Sequence, residues 1–291
     1  MTDIQPRVLV AGATGYLGRH LVTQLLSRGA PLLALARDPH RLKELGLADP
    51  QIRIAQVTEP ASLAGCCDDI DVVISCVGIT RQRDGLGYMD VDYQANLNLL
   101  REAEKAGVKR FIYISAFNAP NFQTVRLLRA KERFARQLLT STIPEPCVIR
   151  PNGFFSDMTE FYKMAKQGRI YLFGSGSQQL NPIHGDDLAT FCLEAIHTND
   201  RELDVGGPEI LTHRQVAQIA FNTVKQPTNI TYLPNWLSKL LLFLSRNLPE
   251  KHTGVVEFFL TASAQDMIAP AYGERTLAQY FQTLNSVERQ L

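Results

Sequence analysis

Residues 7–29, RVLVAGATGYLGRHLVTQLLSRG, constrain the fold more than any other stretch of the chain. Val8-Leu9-Val10-Ala11 has the length and apolar composition of a buried strand. The run breaks into Gly12, Gly15 and Gly18 and then takes a helical period, with Leu17, Leu21, Leu25 and Leu26 on one side and His20, Gln24 and Arg28 on the other. Strand, glycine turn and helix in that order form a unit that receives a pyrophosphate. Gly12 permits the tight turn, Gly15 lets the backbone approach the phosphates, and Gly18 lets the helix pack close to the strand. The helix N-terminus adds free N–H groups and positive dipole potential.

With 291 residues the chain is long enough for one large domain or two modest ones. A net charge of +1 argues against a nucleic-acid partner. The N-terminus MTDIQPR carries no apolar signal region, and no apolar run reaches the roughly 20 residues that span a bilayer. Cys66, Cys67, Cys76, Cys147 and Cys192 show no metal-type spacing, so reduced thiols in a cytoplasmic protein without a metal site are expected.

Pro31–Ala36 reads as a second buried strand, followed by Arg37-Asp38-Pro39. The end of this strand is where an adenosine ribose is met. A carboxylate there accepts the 2′-OH of NAD, whereas an arginine accommodates the 2′-phosphate of NADP. Arg37 therefore favours NADP(H), Asp38 suits the start of a turn, and Arg41 is either a second phosphate contact or a solvated charge. Further strands are expected at 51–57, 71–78, 108–115 and 144–150, with helices at 61–67 and 91–106 and a polar loop at 80–90. This repeat predicts an α/β protein, a Rossmann-type doubly wound parallel sheet. Residues 1–150 form the nucleotide-binding domain, with 181–200 packing back onto it, and 151–291 form a smaller C-terminal substrate or partner lobe.

GATGYLGRHLVTQLL, LARDPHRL, DVVISCVG, NLNLLREAEKAGVKRFIYIS and RPNGFF, in that order, resemble the extended and atypical short-chain dehydrogenase/reductases, nearest the NmrA-like branch, with isoflavone reductase-like and divinyl chlorophyllide reductase-like proteins nearby. The resemblance covers about residues 7–195. It implies that Ala13, Thr14, Tyr16 and Leu17 line the pyrophosphate turn, that Ser75, Cys76, Val77 and Gly78 pass the cofactor ribose, and that Pro151, Gly153 and Phe154 flank the nicotinamide. Gln56 stands where relatives often carry an aspartate for the adenine amine.

The family triad is a serine, a tyrosine and a lysine one helical turn after the tyrosine. Ser115 and Lys131 fall where the triad implies, but the tyrosine position is Leu127. Three readings stay open. Lys131 could itself move the proton with a depressed pKa, as the isoflavone reductase-like relatives imply. The chain could be a catalytically silent NADP-binding regulator, redox sensor or assembly factor, as NmrA-like proteins imply. Tyr88 or Tyr113 could replace the missing phenol, although Tyr113 inside a strand suits a core position.

Beyond residue 150, Phe154, Phe155, Met158, Phe161, Tyr162 and Met164 form an aromatic segment suited to a core or to the wall of a pocket for a hydrophobic substrate. His184 is a weak candidate for substrate contact. Asp187 is expected to cap a helix over 188–198, and Thr212 with Gln215 to cap one ending at Val224. The apolar segment 236–244 holds the single tryptophan. Burial in the lobe is its default, with a peripheral membrane contact, a homodimer contact or a pocket lid as alternatives.

Overall fold

The computed structural model describes residues 5–79 and 85–290. The chain starts with β1 (Val8–Ala11), α1 (Tyr16–Ser27), β2 (Leu32–Ala36), a single turn α2 (His40–Lys43), β3 (Ile52–Ile54) and β4 (Val72–Ser75). It continues through α3 (Asn96–Ala106), β5 (Arg110–Ile114), α4 (Arg126–Leu139) and β6 (Glu145–Pro151). Then come α5 (Phe155–Lys166), β7 (Ile170–Phe173), β8 (Gln179–Leu180), α6 (Gly185–Glu194) and β9 (Glu202–Val205). The remainder is β10 (Leu211–Thr212), α7 (His213–Val224), β11 (Ile230–Leu233), α8 (Asn235–Arg246), α9 (Glu250–Ala262) and α10 (Leu277–Gln290).

Seven strands form one sheet in the order β3-β2-β1-β4-β5-β6-β9. The pairs of β1 with β2 and with β4 are parallel, so chain order reverses on either side of β1. That reversal opens a crevice beyond the carboxyl ends of the strands. Val8, Leu9, Val10 and Ala11 are fully enclosed because a parallel sheet is covered on both faces. The chain divides into two compact units, one running to Arg150 and taking in Ala189–Leu203, the other comprising Pro151–Leu188 and Asp204–Leu291.

Several expected elements differ. The 51–57 strand is confined to Ile52–Ile54, and the 61–67 helix is one tight turn, Pro60–Leu63, before Gly65 takes a left-handed conformation at φ 70°. The expected 91–106 helix begins earlier with a wide π-helical segment, Met89–Ala95, and becomes α3 only at Asn96. The Asn96 amide explains the change, because it donates to the carbonyls of Val91 and Asp92 and takes over part of the backbone ladder. Residues 80–84 of the expected polar loop lie outside the described residues.

In the second unit, Phe155, Met158, Phe161 and Tyr162 are buried with Val216, Phe221, Leu277 and Phe281, so most of the aromatic segment packs a core. Helix α6 starts at Gly185, which places Asp187 inside its first turn rather than at its cap. The Asp187 carboxylate accepts from the backbone N–H groups of Glu274 and Arg275 and pairs with the Arg275 guanidinium. The cap of α7 forms as expected: the Gln215 N–H donates to Thr212 Oγ1 at 3.2 Å, and the Thr212 N–H donates to Gln215 Oε1 at 2.8 Å. Thr212→Ala is expected to cost about 1 kcal/mol, read as a lower urea midpoint. An unchanged midpoint would remove the box from the account of this helix.

The 236–244 segment is helical, inside α8, but not buried: Trp236 and Phe243 are 64% and 65% exposed. Among the described residues no helix is long and apolar enough to cross a membrane.

Candidate functional site

A cavity of about 350 Å³ lies at the carboxyl ends of β1 to β4. Each strand contributes the residues that follow it. Gly12, Thr14 and Gly15 come from the β1–α1 turn, Arg37 and Arg41 from beyond β2, Gln56 and Thr58 from beyond β3, and Cys76, Val77 and Gly78 from beyond β4. Nine of these ten are residues the sequence singles out, Arg41 as one of two alternatives, and Thr58 is the exception.

The turn can exist only with glycine at two places. Gly12 has φ 76°, and a Cβ there would stand 3.0 Å from the carbonyl carbon and oxygen of Cys76. A Cβ on Gly18 would stand 2.2 Å from the Gly12 carbonyl oxygen, so α1 seats directly on the turn. Gly15 is the N-cap of α1, no side chain caps that end, and its first turn carries no acidic residue. The result is a backbone cradle with donors directed outward and no carboxylate to repel an anion. Ala13 and Leu17 are buried beneath it, while the Tyr16 ring packs edge-on against His20, centroids 5.0 Å apart.

Arg37 and Arg41 supply exposed positive charge at the second strand end. Asp38, the carboxylate next to Arg37, accepts the His40 N–H at 3.0 Å and so serves the entry into α2. Burial pushes the Cys76 thiol up to about 12 against the weaker downward pull of Lys131, so Cys76 lines the cavity as a neutral group.

Behind Gly78 lies a buried polar cluster. Lys131 Nζ, on α4, pairs with Asp92 Oδ1 at 3.1 Å and reaches the Ile114 carbonyl at 3.5 Å. The other carboxylate oxygen of Asp92 accepts the Ile79 N–H at 3.2 Å. Asn96 receives the Ser75 hydroxyl at 2.6 Å and donates to the Val77 carbonyl at 3.1 Å. The strand-end backbone that floors the cavity is therefore held from behind by Asp92 and Asn96. Lys131 Nζ also stands 5.6 Å from the Tyr113 ring centroid. A Cβ on Gly78 would meet Asp92 at 2.6 Å and Lys131 at 3.0 Å, so only glycine lets cavity wall and cluster come this close.

Burial alone would pull the Lys131 ammonium down, but Tyr113 and the Asp92 carboxylate outweigh it and hold the group above its ordinary value. The depressed pKa expected of a proton-moving lysine is thus reversed, because Asp92 sits against it. Asp92 was not singled out in the sequence, where an acidic residue near a helix start suits the helix dipole. Ser115 directly follows β5, and its buried hydroxyl has no hydrogen-bond partner among the described residues. Leu127 is buried, as are the two alternative phenols, Tyr88 and Tyr113. Burial raises the Tyr113 phenol above its ordinary value.

Pro151 closes β6, and Gly153, at φ 68°, and Phe154 lead into α5 in the second unit. His184 Nδ1 accepts the Asp186 N–H at 3.1 Å, and its ring packs edge-on against Phe155 and Tyr280, a packing role within that unit.

The chain has relatives among known proteins. The chain is 29% identical to the chloroplastic divinyl chlorophyllide a 8-vinyl-reductase of Zea mays, over 94% of this chain and 78% of that protein. It is 26% identical to the photosystem II assembly factor Ycf39 of Guillardia theta, over 82% of this chain and 76% of that protein. Among solved structures, an NADPH-dependent quinone oxidoreductase of Escherichia coli, complexed with NADPH, shares the fold at TM-score 0.71 and 17% identity, over 95% and 99% of the two chains. Residues 12–199, more than half of the chain, match the model of a family described as NAD(P)H-binding, and the chain belongs to that NAD(P)H-binding family.

Proposed function

We propose that the chain binds NADP(H) at the carboxyl ends of β1 to β4 and reduces a small hydrophobic carbonyl or activated alkene. The observation that carries the reading is the pair Arg37 and Arg41 on the cavity wall beside the glycine cradle. The cradle of Gly12, Gly15 and the α1 N-terminus would hold the pyrophosphate, the guanidinium of Arg37 would grip the 2′-phosphate, and Gln56 would meet the adenine. Cys76, Val77 and Gly78 would pass the ribose. When bound, the cofactor supplies the hydride. Lys131, kept cationic by Asp92, would hold a ribose oxygen as a fixed charge. Ser115 offers a buried hydroxyl to a polar atom of cofactor or substrate. Pro151 and Gly153 are proposed to flank the nicotinamide, with residues 151–291 supplying the substrate lobe. The relative from Zea mays is named for reducing a vinyl group, which supports an alkene.

Calorimetric titration with NADPH and NADH tests the cofactor assignment. Arg37→Ala is expected to weaken NADPH binding about 10- to 100-fold, the loss of a charge-assisted contact, and to leave NADH nearly unchanged. Equal loss for both nucleotides would overturn the selectivity assigned to Arg37.

A second reading, a nucleotide-dependent regulator or assembly factor, draws on the buried Leu127 and on a lysine locked into an ion pair. It predicts NADPH binding without turnover across a panel of carbonyls and enones. Steady oxidation of NADPH by any member of the panel would set it aside.

A further inference from the structure

Cys66 and Cys67 are neighbours in sequence, and their sulfurs stand 3.7 Å apart in a hydrogen bond. Both are 1% exposed and pack in the core of the first unit with Leu35, Ala55 and Leu63. Neighbouring side chains ordinarily diverge, to opposite faces of a strand or about 100° apart around a helix. Here the chain turns between two left-handed residues, Gly65 at φ 70° and Asp69 at φ 58°, and both thiols are turned inward. Asp69 is not a glycine, so its conformation costs free energy that the packing of two small side chains does not demand.

The cover over the thiols is thin. Ala64 and Gly65 before them and Asp68 and Asp69 after them are exposed. Residues 64–70 belong to no helix or strand, and the N–H groups of Ala64, Cys66, Asp68 and Ile70 close only local turns, at 2.9–3.5 Å. Such a segment opens at low cost, and hydrogen peroxide is little larger than the water that would enter with it. With the Cys67 S–H as donor, the bond between the sulfurs draws the Cys66 thiol below its ordinary value, against burial and the Glu102 carboxylate. The same bond holds the Cys67 thiol above its ordinary value. Cys66 is therefore the nucleophile of the pair and Cys67 the proton-bearing partner.

We infer that Cys66 and Cys67 are a two-electron oxidation site for hydroperoxides, which closes them into a vicinal disulfide. The Cys66 thiolate attacks one oxygen of hydrogen peroxide. The O–O bond breaks, the departing hydroxide takes up the Cys66 proton as water, and Cys66 is left as a sulfenic acid. The Cys67 sulfur then attacks the Cys66 sulfur. The S–S bond forms, the S–O bond breaks, and the hydroxyl leaves with the Cys67 proton as a second water. The dithiol loses two electrons and two protons, and one peroxide is reduced to two waters. Neighbouring Cα atoms lie about 3.8 Å apart, inside the usual disulfide span of roughly 4.4–6.8 Å, so a thiol reductant reverses the step with ease.

Closure draws the sulfurs from 3.7 Å to about 2.0 Å. That movement reaches the cavity through the turn Pro60–Leu63. The Cys66 N–H donates to the Leu63 carbonyl at 2.9 Å. Ser62, beside Leu63, grips Gln56 twice: its hydroxyl accepts the Gln56 N–H at 2.9 Å and donates to the Gln56 carbonyl at 2.7 Å. Gln56 and Thr58 line the cavity. Oxidation therefore shifts the wall assigned to the adenine and weakens nucleotide binding, a consequence that rests on the nucleotide reading above.

Thiol counting on the full chain tests the site. The chain is treated with hydrogen peroxide, denatured, alkylated and weighed by mass spectrometry. It is expected to lose two of its five thiols, with peptide fragmentation placing the missing hydrogens on Cys66 and Cys67, and dithiothreitol should restore all five. Cys67→Ser should trap Cys66 as a sulfenic acid that dimedone labels, whereas Cys66→Ser should give no such adduct. Where either variant fails to fold, the count on the unsubstituted chain decides. Calorimetric titration of the two forms reads the coupling: the oxidised chain should bind NADPH at least about fivefold more weakly, with recovery after reduction. Five thiols surviving the peroxide, or a disulfide mapped to another pair, would overturn the site. Equal NADPH affinity in the two forms would overturn the coupling. Should the reduced chain bind no NADPH, the nucleotide reading fails instead, and the thiol count still decides the oxidation site.

Discussion

Asp92→Leu is expected to lower stability by about 3–5 kcal/mol, because it leaves the Lys131 ammonium enclosed without its counter-charge. Asp92 is fully buried and the Lys131 side chain is 14% exposed, so water can do little to replace the lost partner. The Ile79 N–H also loses its acceptor, which loosens the cavity floor. Urea unfolding of the single variant should show the full loss. The double variant Asp92→Leu, Lys131→Met should recover most of it, since replacing both members of a buried pair by apolar groups is often neutral. A double variant as unstable as the single one would mean that packing around Asp92, rather than its charge, holds the cluster together.

The same pair predicts opposite responses to alkali. In the unsubstituted chain the folded pKa of Lys131 is raised, so its contribution is complete below the unfolded value of 10.5 and is lost as pH rises through the folded value. Without Asp92 the Tyr113 phenol is the remaining opposing group, and because burial keeps it protonated through this range it carries no charge, so burial pulls the folded pKa down. Stability then increases with pH as the lysine sheds its proton, from the new folded value up to the unfolded one. Between roughly pH 8 and 10 the unsubstituted chain should show a flat contribution and Asp92→Leu a rising one. Parallel profiles would mean that Asp92 does not govern Lys131.

What could be read in advance follows the range of the interactions. The β1–α1 turn, the position of Arg37 and the Thr212 cap are each set by residues a few positions apart, so spacing alone exposes them. Asp92 and Lys131 lie on different helices and meet only after β4 and β5 pair in register, Ser75 beside Tyr113. No local period marks such a pair. The π-helical entry to α3 was hidden for a related reason: Asn96 looks like an ordinary helix residue until its amide is found on the Val91 and Asp92 carbonyls. Segment 236–244 misled in the other direction. An apolar stripe at helical spacing reads as a buried face, and the pattern contains nothing to say that Ser245 would be the side turned inward.

Gly18→Ala is expected to damage the fold and the nucleotide site together, whereas Gly15→Ala should touch the site alone. The added methyl at 18 would stand 2.2 Å from the Gly12 carbonyl oxygen and 2.8 Å from Ala13 Cα. Both are backbone atoms of the turn, and they cannot step aside as a flexible side chain could. Helix α1 must lift from β1, at a cost of about 1–3 kcal/mol for overpacking. That shift moves the N–H groups of the cradle, so NADPH affinity should fall at least about tenfold as well. Gly15 has φ −72° and ψ 175°, an ordinary extended conformation, and its Cβ would meet only the Gly12 oxygen at 3.2 Å. Its alanine variant should therefore keep its urea midpoint within about 1 kcal/mol of the unsubstituted chain while losing affinity wherever phosphate comes against that backbone. Calorimetric titration with NADPH beside urea unfolding separates the two. Should Gly15→Ala bind NADPH at full strength, the pyrophosphate does not lie on this cradle, and the cavity holds its nucleotide some other way.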